Sequence, residues 1–309
     1  MLVLLIGGST FFFVYFTRSE KQAKVVTTIF PIYDICREIL GTEEDVVLIQ
    51  DNGMDMHSYE PTALDIKTIS KSELFIHIGG ESDDWVDGII RSANNVNLKK
   101  LSLINTINVL EETDEGILEN EHEHDHEDDN EHENAFFDEH IWLSLKNAIT
   151  MTKEISEALT WVYPERTEII KINTEKYLNK LIRLESEYAN ECLNKQKTIV
   201  VADRFPFLYL VNDYNLTYLA AFSGCTSETD ASAETLTKLI DKVNEENLKY
   251  ICVLETSNYS LANQIVSSCP DTEVLVLNSC QLISNKDLNN KSYFDIMKSN
   301  LEILKKVLN

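Results

Sequence analysis

Short β-branched apolar runs alternate with stretches of helical spacing along most of the chain. KVVTTIFP reads as a buried strand closed by Pro31, and IYDICREILG follows with helical spacing and stops at Gly41. DVVLIQDNG is a second strand running into a polar turn, ALDIKTISKS a short helix, and ELFIHIGG a third strand ending in two glycines. Strand and helix in this rhythm predict a parallel sheet with crossover helices. IWLSLKNAITMTKEISEAL then predicts a helix, and a second helical stretch runs from about Glu165 to Lys195 with few breakers. Ile169, Ile172, Leu178, Leu181, Ile182 and Tyr188 keep roughly helical spacing along it.

A second alternating half follows. KTIVVADR, LTYLAAFSG, KYICVLET and EVLVLN read as strands, with helices in FPFLYLVNDYNL, ASAETLTKLIDKVNEENL, SLANQIVSSC and the closing SYFDIMKSNLEILKKVL. The fold class expected is α/β, with two lobes that are each a parallel sheet flanked by helices on both faces, joined by one long rigid helix. The N-terminal lobe takes residues 24–160, the linking helix 161–195 and the C-terminal lobe 196–309. In open α/β sheets ligands sit beyond the carboxyl ends of the strands, so a site is expected in the cleft between lobes.

One segment fits neither lobe. Residues 121–140 read EHEHDHEDDNEHENAFFDEH and hold five of the seven histidines, with no Lys or Arg. So polar a stretch cannot bury enough apolar surface to fold alone, and it reads as a loop spanning about 111–139. Imidazole suits zinc and its first-row neighbours, and carboxylates suit any divalent cation. The alternative is a plain acidic linker with incidental histidines. The overall net charge of −25 argues against nucleic acid as a partner. Residues 111–140 carry fifteen acids and no basic residue, so the other 279 residues share only −10.

The N-terminus is apolar from Leu2 to Phe16 and is followed by Arg18, Lys21 and Lys24. Those residues would span roughly 22 Å as a helix, short of the ~30 Å hydrocarbon core. Residues 1–22 therefore read as a signal peptide or short membrane anchor, with a start that could lie further upstream. Six scattered cysteines form no C-x-x-C pair; Cys36 and Cys252 look like core residues, and a disulfide among Cys225, Cys269 and Cys280 is open.

Two histidines stand where the cleft would be. His57 lies in the turn GMDMHSYEPT after the second strand, and His140 closes the acidic loop just before a helix. A neutral imidazole in such a turn can offer one nitrogen to a metal while the other is held by a carboxylate or carbonyl. His77, inside FIHIGG, reads as a strand histidine near the core.

From about Val25 to the C-terminus the chain resembles the zinc and manganese solute-binding proteins of bacterial ABC transporters (ZnuA-like, the cluster A-I metal-binding lipoprotein and adhesin family). The resemblance is carried by VVTTIFPIYDICREILG, MDMHSYEPTALDIKTISKSELFIHIGG, DDWVDGII, the His-rich loop and DEHIWLSLKNA, in that order. It implies that His57 and His140 are the first two metal ligands, with the linking helix a rigid spine and little closure on binding. The third histidine of many relatives falls at VVADRFPF, where Arg204 occupies the position and Asp203 precedes it. Guanidinium offers no lone pair, so Asp203 is the candidate, with an N-cap role as its alternative. The fourth position falls near Asn278, with Cys280, Gln281 and Glu228 as other possible donors.

The function expected from the resemblance is capture of a divalent cation, zinc or alternatively manganese, for delivery to an ABC permease and its ATPase. The protein would be an extracytoplasmic monomer at the outer face of the cytoplasmic membrane and no enzyme. His122, His124, His126 and His132 would form auxiliary loop sites. Two alternatives remain: a metal-dependent hydrolase using the same cleft, or a metal buffer acting only through the loop. No nucleophile elbow and no clear general base near His57 or His140 supports the hydrolase.

Overall fold

A computed structural model describes residues 23–42, 45–50, 55–93, 95–119, 136–224, 230–284, 286–288 and 290–309. Residues 1–22, His122, His124, His126 and His132, and Cys225 and Glu228, for which the sequence raises expectations, lie outside the described residues. Among the described residues no helix is long and apolar enough to cross a membrane.

The first lobe is built on a four-stranded parallel sheet. Its strands are β1 (Val25–Thr27), β2 (Val46–Leu48), β3 (Leu74–His77) and β4 (Lys99–Ser102), in the order β2-β1-β3-β4. Helices α1 (Phe30–Leu40), α2 (Ala63–Lys71) and α3 (Trp85–Ala93) make the crossovers. The first strand is shorter than the apolar run suggested. Pro31 does not close it but sits in the first turn of α1, where its missing N–H costs nothing and its fixed φ suits a helix. Gly41 ends that helix in the left-handed conformation at φ 69°, as a C-terminal glycine does. Thr62 and Asp65 form a reciprocal capping box that starts α2.

Two long helices pack against each other next: α4 (Leu145–Val162) and α5 (Thr167–Cys192), the latter of 26 residues. The buried stripe of α5 is Ile170, Thr174, Tyr177, Leu181, Leu184 and Tyr188, a 4-3-4-3-4 repeat. Ile169, Ile172 and Ile182, which apolarity alone had put on the packing face, are exposed. Polar Thr174 takes an inward place because its hydroxyl meets Ser156 of α4 at 2.8 Å.

The second lobe has a five-stranded parallel sheet in the order β5-β7-β6-β8-β9. Its members are β5 (Ile117–Glu119), β6 (Ile199–Phe205), β7 (Tyr218–Ser223), β8 (Tyr250–Val253) and β9 (Glu273–Val276). Helices α6 (Leu208–Tyr214), α7 (Ala233–Glu245), α8 (Ser260–Ser268) and α9 (Tyr293–Val307) complete it. Strand β5 comes from within the acidic segment yet pairs with β7, so that segment reaches from one lobe to the other.

Beneath the cleft the two lobes share one hydrophobic core. Trp142, fully buried, donates its indole N–H to the Ser279 carbonyl at 2.8 Å, and the Tyr293 hydroxyl donates to the Trp142 carbonyl. Asp34 of α1 is also fully buried and ties the first lobe to α9. Its carboxylate accepts from Arg37 at 2.5 Å and from the backbone N–H of Tyr293 at 2.7 Å. Arg37 in turn donates to the Leu288 carbonyl at 2.9 Å. Cys36, Cys192, Cys252, Cys269 and Cys280 are buried free thiols, so Cys269 and Cys280 form no disulfide with each other.

Replacing Asp34 by Ala strands the Tyr293 N–H and leaves Arg37 without its buried partner. The variant should lose about 2–3 kcal/mol of unfolding free energy, read from urea denaturation. A change below about 0.5 kcal/mol would show that the link across the lobes is inessential.

Candidate metal centre

The candidates come from different places in the fold: His57 follows β2, His140 precedes α4 and Asp203 lies near the carboxyl end of β6. After β2 the chain makes a single 3-10 turn over Met56–Ser58. Asp55 caps it, with Oδ1 accepting the His57 N–H at 3.0 Å. A second 3-10 turn, Ile141–Leu143, begins directly after His140, whose own N–H donates to Asp138 Oδ1 at 2.8 Å. Both rings are thus fixed at the backbone by a carboxylate two residues upstream.

The two imidazoles meet tip to tip. Nε2 of His57 lies 3.3 Å from Nε2 of His140, with ring centroids 5.2 Å apart. Their other nitrogens face polar partners. His140 Nδ1 lies 3.2 Å from Asp138 Oδ1, and His57 Nδ1 lies 2.9 Å from Ser82 Oγ and 4.0 Å from Glu139 Oε2. An ionised carboxylate only accepts, so the proton of His140 belongs on Nδ1 and its Nε2 carries a lone pair. At His57 the Ser82 hydroxyl can accept from Nδ1–H, which leaves Nε2 with its lone pair in the same way. Two nitrogens each about 2.0–2.1 Å from a tetrahedral zinc lie about 3.3–3.4 Å apart. The pair is therefore spaced as two ligands of one such ion.

Protonation also favours this reading. Burial pushes His57 down to about 4, the neighbouring His140 ring adds to the effect, and Asp55 opposes it. His57 is thus neutral across the physiological range. Glu139, beside it, is pushed up to about 7 by burial. Its Oε1 accepts the Ser82 N–H at 2.9 Å, while Oε2 is buried with no hydrogen-bond partner. Gly80 is required here: at φ 88° its backbone lies so close that an added Cβ would stand 2.3 Å from Glu139 Oε1.

The second lobe contributes differently. A register irregularity in β6 between Val201 and Arg204 re-aims successive side chains. Asp203 turns towards β8, its oxygens accepting the N–H groups of Arg204 at 2.8 Å and Leu254 at 3.4 Å. Arg204 instead reaches into the first lobe, donating to Asp55 Oδ2 at 3.0 Å. Asn278 is engaged by its own turn, its Oδ1 accepting the Cys280 N–H at 2.8 Å. Burial holds the Cys280 thiol well above its ordinary value, unsuited to a thiolate. Gln281 is buried and its side-chain Nε2 has no partner. Gly224, which leads towards Glu228, packs its backbone against His140 Cε1. Among the described residues no group of three or more His, Cys, Asp or Glu side chains is gathered closely enough to hold a metal.

Ser82 and Glu139 were missed from sequence. Their only signal was an acid next to His140; that it would fold back behind His57 depends on contacts 57 residues apart in the chain. His77 lies in β3, stacked on Phe75, with Nδ1 at 3.2 Å from Asp83.

Two parallel-sheet lobes, a long helix and a histidine pair in the cleft define a binding-protein architecture. The family model described as zinc-uptake complex component A, periplasmic, matches residues 25–307, and the chain belongs to that family. The zinc-binding protein AdcA of Streptococcus pyogenes is 28% identical over 300 residues, covering 93% of this chain and 56% of AdcA. The chain thus spans little more than half of that relative. The high-affinity zinc uptake system protein ZnuA of Bacillus subtilis is 29% identical over 311 residues, covering 99% of this chain and 93% of ZnuA. The crystal structure of the Zn(II)-bound ZnuA-like domain of Streptococcus pneumoniae AdcA superposes with a TM-score of 0.74 at 26% identity, covering 93% of this chain and 99% of that one.

The raised Glu139 gives a pH test. Its ordinary value of 4.5 rises to about 7 in the fold, so the folded chain holds this proton more tightly than the unfolded chain. The stability it confers is full below about pH 4.5 and is lost as pH rises through about 7. Glu139→Gln should therefore flatten the fall in metal-free stability between pH 5 and 7.5, followed by thermal melting. An unchanged slope would place that proton elsewhere.

Proposed function

We propose that this protein captures zinc between His57 and His140 outside the cytoplasmic membrane and passes it to an ABC permease driven by its ATPase. The single observation behind this reading is the Nε2–Nε2 separation of 3.3 Å with each Nδ1 backed by a polar partner. Neutral imidazoles prefer zinc to manganese, which favours zinc as the cargo. The zinc-binding names of relatives on both sides of the comparison support the same choice.

Asp203 is the proposed donor from the second lobe, since a carboxylate oxygen accepting one N–H retains a further lone pair. Asn278 and Gln281 are the remaining oxygen donors proposed from the second lobe, with Glu228 a candidate from sequence alone. The shared core beneath the cleft supports binding with little closure. The loop histidines His122, His124, His126 and His132 would gather metal in weak exchanging sites. The protein would act as a monomer held near the membrane through its N-terminus, as a carrier and not an enzyme.

Chelator-competed zinc titration tests this on three proteins. Wild type and a variant lacking residues 119–134 should both bind one equivalent tightly, whereas His57→Ala or His140→Ala should weaken that site at least about a hundredfold. Loss of the tight site on loop deletion, with His57→Ala unaffected, would leave only a loop buffer. Hydrolysis dependent on stoichiometric metal would replace the carrier by an enzyme.

A further inference from the structure

The cleft wall opposite the histidines carries a permanent positive charge. Arg204, at the carboxyl end of β6, extends across the cleft and its Nη1 donates to Asp55 Oδ2 at 3.0 Å. The side chains are 15% and 23% exposed, so the pair is only partly screened by solvent. Asp55 is shared: its other oxygen caps the turn that holds His57. The guanidinium thus stands one residue's reach from the imidazole pair, and its field acts on the His57 ring. A guanidinium remains protonated and offers no lone pair, so it meets an arriving cation only with repulsion. By engaging Asp55 Oδ2 it also occupies the oxygen of that carboxylate left over from the cap on the His57 turn.

We propose that Arg204 is an affinity-setting residue: a resident cation, pinned by Asp55, that weakens divalent-metal binding at the His57–His140 pair. The proposal rests on the reading of that pair as the zinc site and adds what tunes it. A carrier that must release its ion gains from such a device, because the repulsion acts on bound metal at all times while the two imidazoles supply the coordinate bonds. The Asp55 partner keeps the guanidinium in place and offsets part of its charge. Removing either member therefore moves metal affinity in opposite directions.

This opposition separates an electrostatic role from a mechanical clasp between lobes, which would weaken binding whichever side is cut. Zinc dissociation constants would be measured by chelator competition for wild type, Arg204→Met, Arg204→Lys, Asp55→Asn and the double variant, with melting curves to confirm folding. Arg204→Met, which keeps the length and loses the charge, should bind zinc at least about tenfold more tightly. Asp55→Asn, which still caps the His57 turn but removes a negative charge beside the histidine pair, should bind at least about tenfold more weakly. Arg204→Lys should stay within about threefold of wild type, and the double variant should return towards it. If Arg204→Met does not fold, Arg204→Gln carries the same expectation.

Weakening in both single variants, or no change in Arg204→Met, overturns the proposal while tight His57-dependent zinc binding in wild type keeps the carrier reading. Absence of any saturable zinc site in wild type overturns both.

Discussion

Hydrogen bonds buried beneath the cleft tie the two lobes together and anchor the segment that carries His140. The indole of Trp142, two residues beyond His140, is bonded to the Ser279 carbonyl, and its own carbonyl accepts from Tyr293. Tyr293 begins α9 and also donates its N–H to Asp34 of α1. One tyrosine therefore touches both lobes at the floor of the cleft. All of these groups are buried, so breaking any bond leaves a polar atom without water to replace its partner. Opening the cleft would expose that floor. The imidazole pair above it is consequently preorganised, and binding need not supply the energy of assembling it.

Preorganisation carries its own difficulty. Two lone pairs facing at 3.3 Å, backed by carboxylates, form a place of negative potential that only a cation relieves. Asp55 and Asp138 bond the backbone of the two histidines and Glu139 bonds Ser82, while Asp203 and Glu255 bond within the second lobe. Left unbalanced, so many acids would make the site sticky for any divalent ion. The chain moderates this in three ways. Glu139 and Glu255 are raised by burial, Asp203 shares its oxygens with two backbone N–H groups, and Asp55 is paired with Arg204. What remains distinctive is nitrogen coordination, which suits zinc better than the oxygen-preferring ions.

Much of the fold was legible because local and global signals agree. Every strand of the second lobe except β5 was visible as an apolar run, and α7 and α9 start at serine caps, Ser232 and Ser292. The exceptions have physical causes. Strand β5 hides inside an acidic stretch, because an edge strand with intermediate burial needs little apolar content. Strand β4, KKLS, is an edge strand too, with its two lysines in solvent. On α5, isoleucines at 169, 172 and 182 suggested the wrong face because apolar character does not report burial unless the spacing repeats.

The site shows a similar boundary. His57 and His140 could be chosen from strand-to-turn position and from resemblance, since both sit at places the topology dictates. Their outer supports could not, because Ser82 and Glu139 approach His57 only through tertiary packing. The contrast between Asp203 and Arg204 was beyond sequence altogether. Adjacent residues on a strand point to opposite faces, and an irregularity in the register decides which of them sees the cleft. The irregularity in β6 sends the arginine across to Asp55 and the aspartate towards Leu254. A single slipped register thus carries a guanidinium from the second lobe across to the aspartate that caps the His57 turn.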